Sequence, residues 1–275
     1  MLRSMYSGVS GMRGFQTKLD VIGNNIANVN TVGFKAGRVM FKDILSQTVS
    51  GVTAPVEGTT GGVNAKQIGL GVATASIDTI HTAGSAVTTN VTTDVRIDGD
   101  GFFAVTATGD GAQEVPYLTR AGNFTLDANN QLVNSDGMFV LSSDGAPIVL
   151  GEEVKSFSIS QDGTIMAVNA DGTTAATEFS LGVVKVANPN GLEKIGGNLF
   201  RITSNANPNG EATLTTASDA EAGTGSIVSG QLEMSNVDLT GEFTEMIVAQ
   251  RGFQANSRII TTSDEILQEV VGLKR

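Results

Sequence analysis

The stretch LDVIGNNIANVNTVGFK, residues 19–35, separates a helical pattern from everything that follows it in this 275-residue chain. Leu19, Ile22 and Ile26 lie three and four residues apart, which predicts one apolar face of a helix. The adjacent pair Asn24-Asn25 is unfavourable inside a helix, because side-chain amides compete for backbone hydrogen bonds. Polar amides on a packing helix also fix register against a partner. The pattern alone leaves two interpretations open, a frayed helix end and a register-setting element.

The same spacing predicts a single helix over residues 1–28. Leu2, Met5, Val9 and Met12 keep the three-four step of a coiled-coil seam. The step continues through Gln16, Leu19, Gly23 and Ile26, so the seam loosens toward the Asn pair, and Ile22 shares the apolar face of Leu19 and Ile26. Four glycines interrupt this helix, and each costs about 1 kcal/mol relative to Ala in a helix interior. Small residues let a neighbouring helix approach closely, so packing can supply the stability that propensity lacks.

The apolar spacing in residues 238–273 predicts a second helix with a matching apolar stripe. Seven-residue spacing and a shared face select Phe243, Met246, Phe253, Ile260, Leu267 and Val271. On spacing alone, packing on the chain's own core explains this stripe as well as contact with another subunit does. Because both ends of the chain carry a seam, we expect them to pair as a coiled-coil-like core and to contact other subunits.

The composition and turn signals of the chain between the two helices predict extended structure. Turn signals such as Asp136-Gly137 recur about every eight to twelve residues, which favours a compact β sandwich or barrel. The preceding residues are low in charge and rich in Gly, Thr, Ser and Val, which predicts an extended arm. The fold class is therefore α+β. The expected divisions are a terminal helical core domain at 1–30 and 238–275, an extended connecting arm at 31–95 and 223–237, and a β domain at 96–222.

The formal net charge of −11 is unevenly spread, because residues 1–45 carry a local +4 and the remainder carries −15. The basic segment has an apolar face and no Lys/Arg cluster, so we expect no nucleic-acid binding. No apolar run approaches the roughly 20 residues that cross a bilayer. Gly8, Gly11, Arg13 and Gly14 interrupt the position of an apolar signal core, so a cleavable signal peptide is not expected. Without Cys, disulfides and thiolate metal sites are excluded.

Three motifs with a chemical interpretation are better explained as structural. The run GLGVAT at 69–74 partly resembles a dinucleotide fingerprint, but no βαβ pattern surrounds it. The run DGDG at 98–101 begins like a calcium loop, yet Gly109 stands where a bidentate Glu is required. His81 is the only histidine and has no companion for a metal site or a Cys nucleophile. We expect no catalytic, cofactor-binding or metal site and no small-molecule substrate; only a carboxylate pair assembled by the fold is left open.

Several blocks of this sequence resemble the bacterial flagellar rod and hook proteins. Residues 19–35 share with that family a Leu, an Asp, an Ile, the Asn pair, Ala-Asn and Gly-Phe-Lys. Near the other end, the blocks SNVD at 235–238 and MIVAQRGFQAN at 246–256 resemble the family's C-terminal signature, and the similarity continues to Leu267. Between the ends, the similar blocks are IDGDGFF at 97–103, YLTRAGNF at 117–124 and GLEKIGGNL at 191–199.

This resemblance implies a structural protein and no enzyme. Many copies would assemble helically into a hollow tube, with the terminal helices around the export channel and the β domain outside. Asn24, Asn25 and Phe34 then join the two seams as expected assembly-interface residues. The resemblance also implies an extracellular location in the bacterial flagellum, in the hook or basal body, with export by the type III apparatus. The implied partners are further copies of the chain and the proteins of the rod, the hook–filament junction and the hook cap.

The choice among family members depends on two short blocks. MLRSMYSG at 1–8 and EFTEM at 242–246 are more similar to the short hook protein of Gram-positive bacteria, which favours a hook that transmits torque from rod to filament. The alternative is the distal-rod protein of the basal body, which is similar in size. A rival from another class is a secreted β-domain binding protein, but 2 Tyr and no Trp offer few aromatics for stacking on sugar.

Overall fold

The computed structural model describes residues 2–55, 61–108, 115–151, 154–169 and 173–273. The described residues form two long α-helices and 20 β-strands. They divide into two compact units. The helical unit consists of the described residues of 1–27, 37–79 and 238–275, and the β unit consists of those of 28–36 and 80–237.

Two antiparallel helices form the body of the helical unit. Helix α1 spans Leu2–Ala27 and helix α2 spans Leu239–Gly272. Helix α2 begins at an aspartate cap, because the Thr240 N–H donates to Asp238 Oδ1 at 3.0 Å. The helices approach through small residues: a Cβ added to Gly11 would lie 2.6 Å from Asn256 Nδ2. The glycines that weaken α1 in isolation therefore permit its close contact with α2.

Four strands complete the helical unit. They are β1 at Gly37–Asp43, β2 at Ser46–Ser50, β3 at Lys66–Gly69 and β4 at Val72–Thr79. Strand β1 pairs antiparallel with β4 from Gly37 opposite Thr79 to Asp43 opposite Val72, with an irregularity between Met40 and Phe41. Strand β2 pairs antiparallel with β3. Every residue of β2 and β3 is exposed in the single chain, which is unusual for a stable two-stranded ribbon.

The β unit contains sixteen short strands among its described residues. They are β5 Ala86–Thr88, β6 Val95–Asp98, β7 Phe102–Thr106, β8 Tyr117–Thr119, β9 Thr125–Leu126, β10 Leu132–Val133, β11 Phe139–Val140, β12 Val154–Ile159, β13 Thr164–Asn169, β14 Thr174–Ser180, β15 Val183–Val184, β16 Glu193–Gly196, β17 Leu199–Arg201, β18 Leu214–Thr215, β19 Ser226–Ser229 and β20 Gln231–Glu233. Seven of them follow the order β16-β17-β8-β7-β11-β10-β9, and β15 joins this sheet on β7 and carries β18. Strands β12-β13-β14 form a second sheet, and β19 pairs with β6 and β20 with β5.

Strand β7 organises the core of the β unit. Phe103 and Val105 belong to one buried cluster and Phe102 and Ala104 to another, so both faces of this strand are covered. Such two-sided burial explains why FFAV reads as a continuous apolar run rather than an alternating one. The rings of Phe103 and Phe124 pack edge to face with centroids 5.3 Å apart.

The structure confirms the α+β class, with helices near both ends and a β-rich middle. It shows contact between the two helices of the helical unit, but this contact alone does not establish coiled-coil packing, which stays a prediction. The predicted domain limits also stay a prediction. The described residues of 37–79, placed by sequence in the connecting arm, belong to the helical unit, where they include the paired strands β1 to β4.

Candidate functional site

The second asparagine of the signature stretch joins three segments of the helical unit. Asn25 is buried, with 1% of its surface exposed. Its Nδ2 donates to Gly37 O at 2.9 Å and to Glu242 Oε1 at 3.0 Å. Its Oδ1 accepts the Gly37 N–H at 2.9 Å. One amide therefore fixes the last turn of α1, the start of β1 and the first turn of α2, which agrees with a register-setting element and not with fraying.

Burial around this amide also affects the carboxylate that it binds. The pKa of Glu242 is raised, chiefly by desolvation, whereas the hydrogen bond from Asn25 acts in the opposite direction. The neighbouring Asn24 is exposed. The two asparagines therefore have different environments, and the buried one has every amide hydrogen-bonding group except one lone pair in use.

The end of the signature stretch lies in the β unit, where Gly33 allows a tight approach. Its backbone φ is +70°, a conformation that glycine adopts without strain. A Cβ at this position would lie 2.6 Å from the backbone nitrogen of Ala121. The Gly33 N–H donates to Glu233 O at 2.8 Å. Both conformation and space therefore require glycine before Phe34 and Lys35.

Lys35 is part of a buried ion network in the β unit. Its Nζ lies 2.6 Å from Glu233 Oε1 and donates to Thr82 O at 2.7 Å. Arg120 Nη1 lies 3.2 Å from Glu233 Oε2. The same carboxylate accepts the Gly84 N–H at 3.0 Å. One acid therefore serves two cations, and we call Lys35, Arg120 and Glu233 the buried ion network.

The network connects distant parts of the chain and carries a net charge of +1. Arg120 also donates to Ile97 O at 3.2 Å and to Gly99 O at 2.6 Å. Burial lowers the pKa of both Lys35 and Arg120, although Glu233 acts to raise each one. Because three segments meet at one carboxylate, the network fixes the residues that follow α1 to the strand that precedes α2.

Phe34 and His81 lie beside the buried ion network, and each has at least one cation close to it. Phe34 is half-buried, and Lys194 Nζ lies 5.2 Å from its ring centroid. Lys194 also donates to Lys35 O at 3.1 Å. Burial, together with three nearby cations, lowers the pKa of His81 to about 4, so this histidine is neutral at pH 7. Its ring packs on Phe102 with centroids 5.8 Å apart.

The predicted interface residues have mixed environments in the single chain. Ile22 and Asn25 are buried, and eight of the others are half-buried along the helices, namely Met5, Val9, Met12, Leu19, Ile26, Met246, Ile260 and Leu267. Phe243, Phe253 and Val271 are exposed, as is Asn24. The side chain of Leu2 lies outside the described residues. Of these residues, Asn25 and Ile260 lie at the contact between α1 and α2, and the role of the whole set in assembly stays a prediction.

Small residues that the apolar spacing did not select let the backbones of the two helices approach closely. Ala249 and Ser263 are the buried residues of α2. A Cβ on Gly252 would lie 2.6 Å from Cζ of Phe15, and one on Gly8 would lie 3.4 Å from Cγ1 of Ile260. The sequence did indicate a close helix contact at Gly8, because the repeated glycines of α1 predicted the approach of a neighbouring helix. No apolar pattern could have indicated the residues of the buried ion network.

A second apolar stripe on α2 has no cover in the single chain. It consists of exposed side chains at Val248, Ile259, Ile266, Val270 and Leu273. Spacings of seven, four and three residues place Ile259, Ile266, Val270 and Leu273 on one side of the helix. Exposed apolar stripes of this kind mark interaction surfaces.

In the described part of the chain, none of the helices has the length and apolar character to cross a membrane. Within the same residues, no group of three or more His, Asp or Glu side chains could hold a metal ion.

Comparison with known proteins identifies the class to which this architecture belongs. Residues 5–35 match the family model "Flagella basal body rod protein", residues 96–167 match "Flagellar hook protein FlgE/F/G D1 domain", and residues 228–273 match "Flagellar basal body rod FlgEFG protein C-terminal". The matched segments contain Asn25 and its partner Glu242, and they also contain Arg120 and Glu233. They define a class of structural proteins, not of enzymes.

Full-length relatives agree with these matches. The flagellar basal-body rod protein FlgG of Bacillus subtilis (strain 168) is 56% identical over 276 residues, covering all of both chains. FlgG of Borreliella burgdorferi is 37% identical over 280 residues, and the flagellar hook protein FlgE of the same organism is 30% identical over 452 residues, each with complete coverage of both chains. The chain belongs to the flagellar rod and hook protein family, whose members localise to the flagellum.

Proposed function

We propose that this chain is a subunit of the flagellar rod, in its distal part, and that copies of it polymerise helically into a hollow tube. The observation that supports the rod is the 56% identity with a basal-body rod protein over the whole of both chains. The hook relative aligns over 452 residues, so it carries long segments that this chain lacks. The sequence blocks at 1–8 and 242–246 favoured the hook, which is therefore the second candidate.

The observation that supports polymerisation is the uncovered apolar surface of the helical unit. In addition to the second stripe of α2, exposed apolar side chains include Val49 of β2, Ile68 of β3, and Ile44 and Leu45 in the connection between β1 and β2. A monomeric protein rarely exposes so many. Exposed apolar surface of this extent marks contacts with other proteins, and a head-to-tail arrangement of copies that does not close produces a filament.

We propose the following roles for the parts of the chain. The terminal helices, residues 1–30 and 238–275, form the inner core around the export channel, where the seams pair in coiled-coil-like contacts. The β domain forms the outer layer, and the connecting segments brace neighbouring copies. Subunits leave the cell through the type III export apparatus. Rod neighbours, hook and junction proteins and the cap that guides assembly are the proposed partners, and torque passes through the helical contacts.

Electron microscopy of the purified protein tests polymerisation. We expect ordered tubes, and we expect Leu267→Asp to abolish them while the β unit stays folded, because a charge would enter a dry contact. Gln254→Asp adds the same charge at an exposed position of α2 and should still give tubes. Normal tubes from the Leu267 variant would contradict the seam assignment.

Complementation separates the rod from the hook. We expect the gene for this chain to restore motility to a strain that lacks its distal-rod protein, and not to one that lacks its hook protein. Rescue of the hook-less strain alone would favour the second candidate. Basal bodies from the rescued strain, examined by electron microscopy, show which part of the structure has been rebuilt.

A further inference from the structure

The last turns of α2 carry a concentrated apolar surface. Ile266, Val270, Val271 and Leu273 are all exposed in the single chain, and 87% of the surface of Leu273 is accessible. Leu267, in the same turns, is half-buried. Leu267 lies seven residues after Ile260 and continues the face that contacts α1. Ile266, Val270 and Leu273 belong to the second, uncovered stripe. We call residues 266–273 the α2 tip.

A groove of matching character lies elsewhere in the helical unit, between α1 and the paired strands. It has a volume of about 520 Å³ and is lined on the helix side by Tyr6, Val9 and Arg13 and on the strand side by Ile44, Leu70 and Val72. Tyr6 is 72% exposed. The groove is mostly apolar and holds a cation at its edge, so it suits an apolar segment that carries an acid.

Charge complementarity favours the α2 tip as the occupant. Arg13 is exposed and takes part in none of the ion pairs found among the described residues. Glu269, on the tip, is also exposed and lacks an ion pair among those residues. It lies three residues after Ile266 and four before Leu273, so it flanks the apolar side chains of the tip. An Arg–carboxylate pair beside an apolar contact fixes orientation as well as adding attraction.

From these observations we infer that the α2 tip of one copy docks in the α1-side groove of a second copy, with Glu269 beside Arg13. This inference rests on the proposed function, because it names the two surfaces that meet when copies polymerise. The contact is heterologous, since tip and groove are different surfaces, and repetition of it generates an open assembly and not a closed dimer.

Disulfide trapping tests the contact, because the chain has no cysteine of its own. Two single variants, Tyr6→Cys and Val270→Cys, are mixed under polymerising conditions and then oxidised. We expect a covalent dimer from the mixture and none from either variant alone. Gln254→Cys replaces Val270→Cys in the control mixture, because position 254 is an exposed site of α2 outside the tip.

Charge reversal supplies a second readout. Arg13→Glu and Glu269→Arg should each raise the concentration needed for polymerisation by about tenfold, and the double variant should recover most of this loss. Tubes that form with no Tyr6–Val270 cross-link, or with equal cross-linking in the control, would overturn the contact and leave the proposed function standing. Dimers from Val270→Cys alone would indicate tip-to-tip contact and also overturn it. Failure of the unmodified protein to form tubes would overturn the proposed function itself.

Discussion

Replacing Glu233 by Gln removes one buried negative charge while it preserves the shape of the side chain. In the native β unit this carboxylate balances Lys35 and Arg120, and Lys35 and Glu233 are each 1% exposed. After the change, two buried cations lack a counter-ion. Breaking a buried pair in this way costs about 3–5 kcal/mol. Because a domain is stable by only roughly 5–15 kcal/mol, we expect a large loss of stability of the β unit.

A second variant shows whether the shared acid is the cause. Lys35→Met removes one cation and leaves Arg120 paired with Glu233, so no buried charge is uncompensated. The variant loses the hydrogen bonds to Thr82 and Glu233, but it also removes the desolvation penalty of a buried ammonium group, so the expected net cost is about 1 kcal/mol. Burial lowers the pKa of Lys35 even though Glu233 acts to raise it, so the carboxylate does not fully offset the desolvation of the ammonium group. The network therefore predicts that Glu233→Gln is several times more costly than Lys35→Met.

Thermal unfolding followed by circular dichroism measures this difference. At about 2–4 °C per kcal/mol for a unit of this size, Glu233→Gln should lower the midpoint by roughly 6–20 °C. Glu193→Gln is the matched control, because it breaks the exposed pair with Arg201 and should leave the midpoint unchanged within error. Equal midpoints for Glu233→Gln and Lys35→Met, or a Glu233→Gln midpoint equal to that of the unmodified protein, would refute the reasoning.

Three further predictions follow from individual contacts and can be measured by unfolding experiments. Gly252→Ala should destabilise the helical unit, because its Cβ would overlap an aromatic ring of α1. Gly23→Ala has open space around its Cβ and should stabilise the unit by about 1 kcal/mol. The opposite order of stabilities would contradict the helix contact. Asn25→Ala should cost about 1–3 kcal/mol by leaving buried groups unpaired, and the exposed Asn24→Ala should cost much less. His81 titrates near pH 4 in the folded state and near 6.5 when unfolded, so the unfolded state binds more protons and stability falls as the pH drops through this window. His81→Phe should reduce that loss between pH 6.5 and 4, and an unchanged pH profile would show that His81 is not responsible.

The sequence was sufficient to predict those structural features that depend only on residues close together along the chain. Apolar spacing predicted helices at 1–28 and 238–273, and the structure has them at Leu2–Ala27 and Leu239–Gly272. Asp-Gly pairs predicted turns, and Gly137 and Gly145 have the positive φ that such turns require. Helix periodicity and turn chemistry are local properties, so a single sequence reveals them.

Apolar spacing did not predict all the residues of α2 that form the contact with α1. A stripe with strict seven-residue spacing drifts by about 20° per heptad on a straight α-helix, because 3.6 residues per turn do not divide seven evenly. Phe243 and Val271 are four heptads apart, and both are exposed in the single chain. The contact with α1 instead uses small residues such as Ala249 and Gly252, which apolar spacing does not select. The depth of a helix contact depends on side-chain size as much as on hydrophobicity.

The buried ion network could not be predicted for a different reason. Glu233 lies 198 residues from Lys35 and 113 from Arg120 along the chain. In the sequence it is one of 28 acidic residues, and no spacing distinguishes it from the rest. The resemblance to the rod and hook family drew attention to Lys35 and to the block that contains Arg120, but gave no reason for either charge. Only the fold brings the three side chains together.

The distribution of charge explains why assembly contacts would concentrate on the helical unit. Of the 17 basic and 28 acidic residues, 10 of each lie in the helical unit, so the β unit, with 7 basic and 18 acidic residues, carries the whole net charge of −11. Between copies, β units repel one another, and salt screens this repulsion over about 8 Å at physiological ionic strength. The neutral helical unit, with its exposed apolar stripes, has no such penalty. In a polymer of this chain, the attraction therefore comes from the helical unit, and the repulsion between β units keeps them from sticking to one another outside the ordered tube.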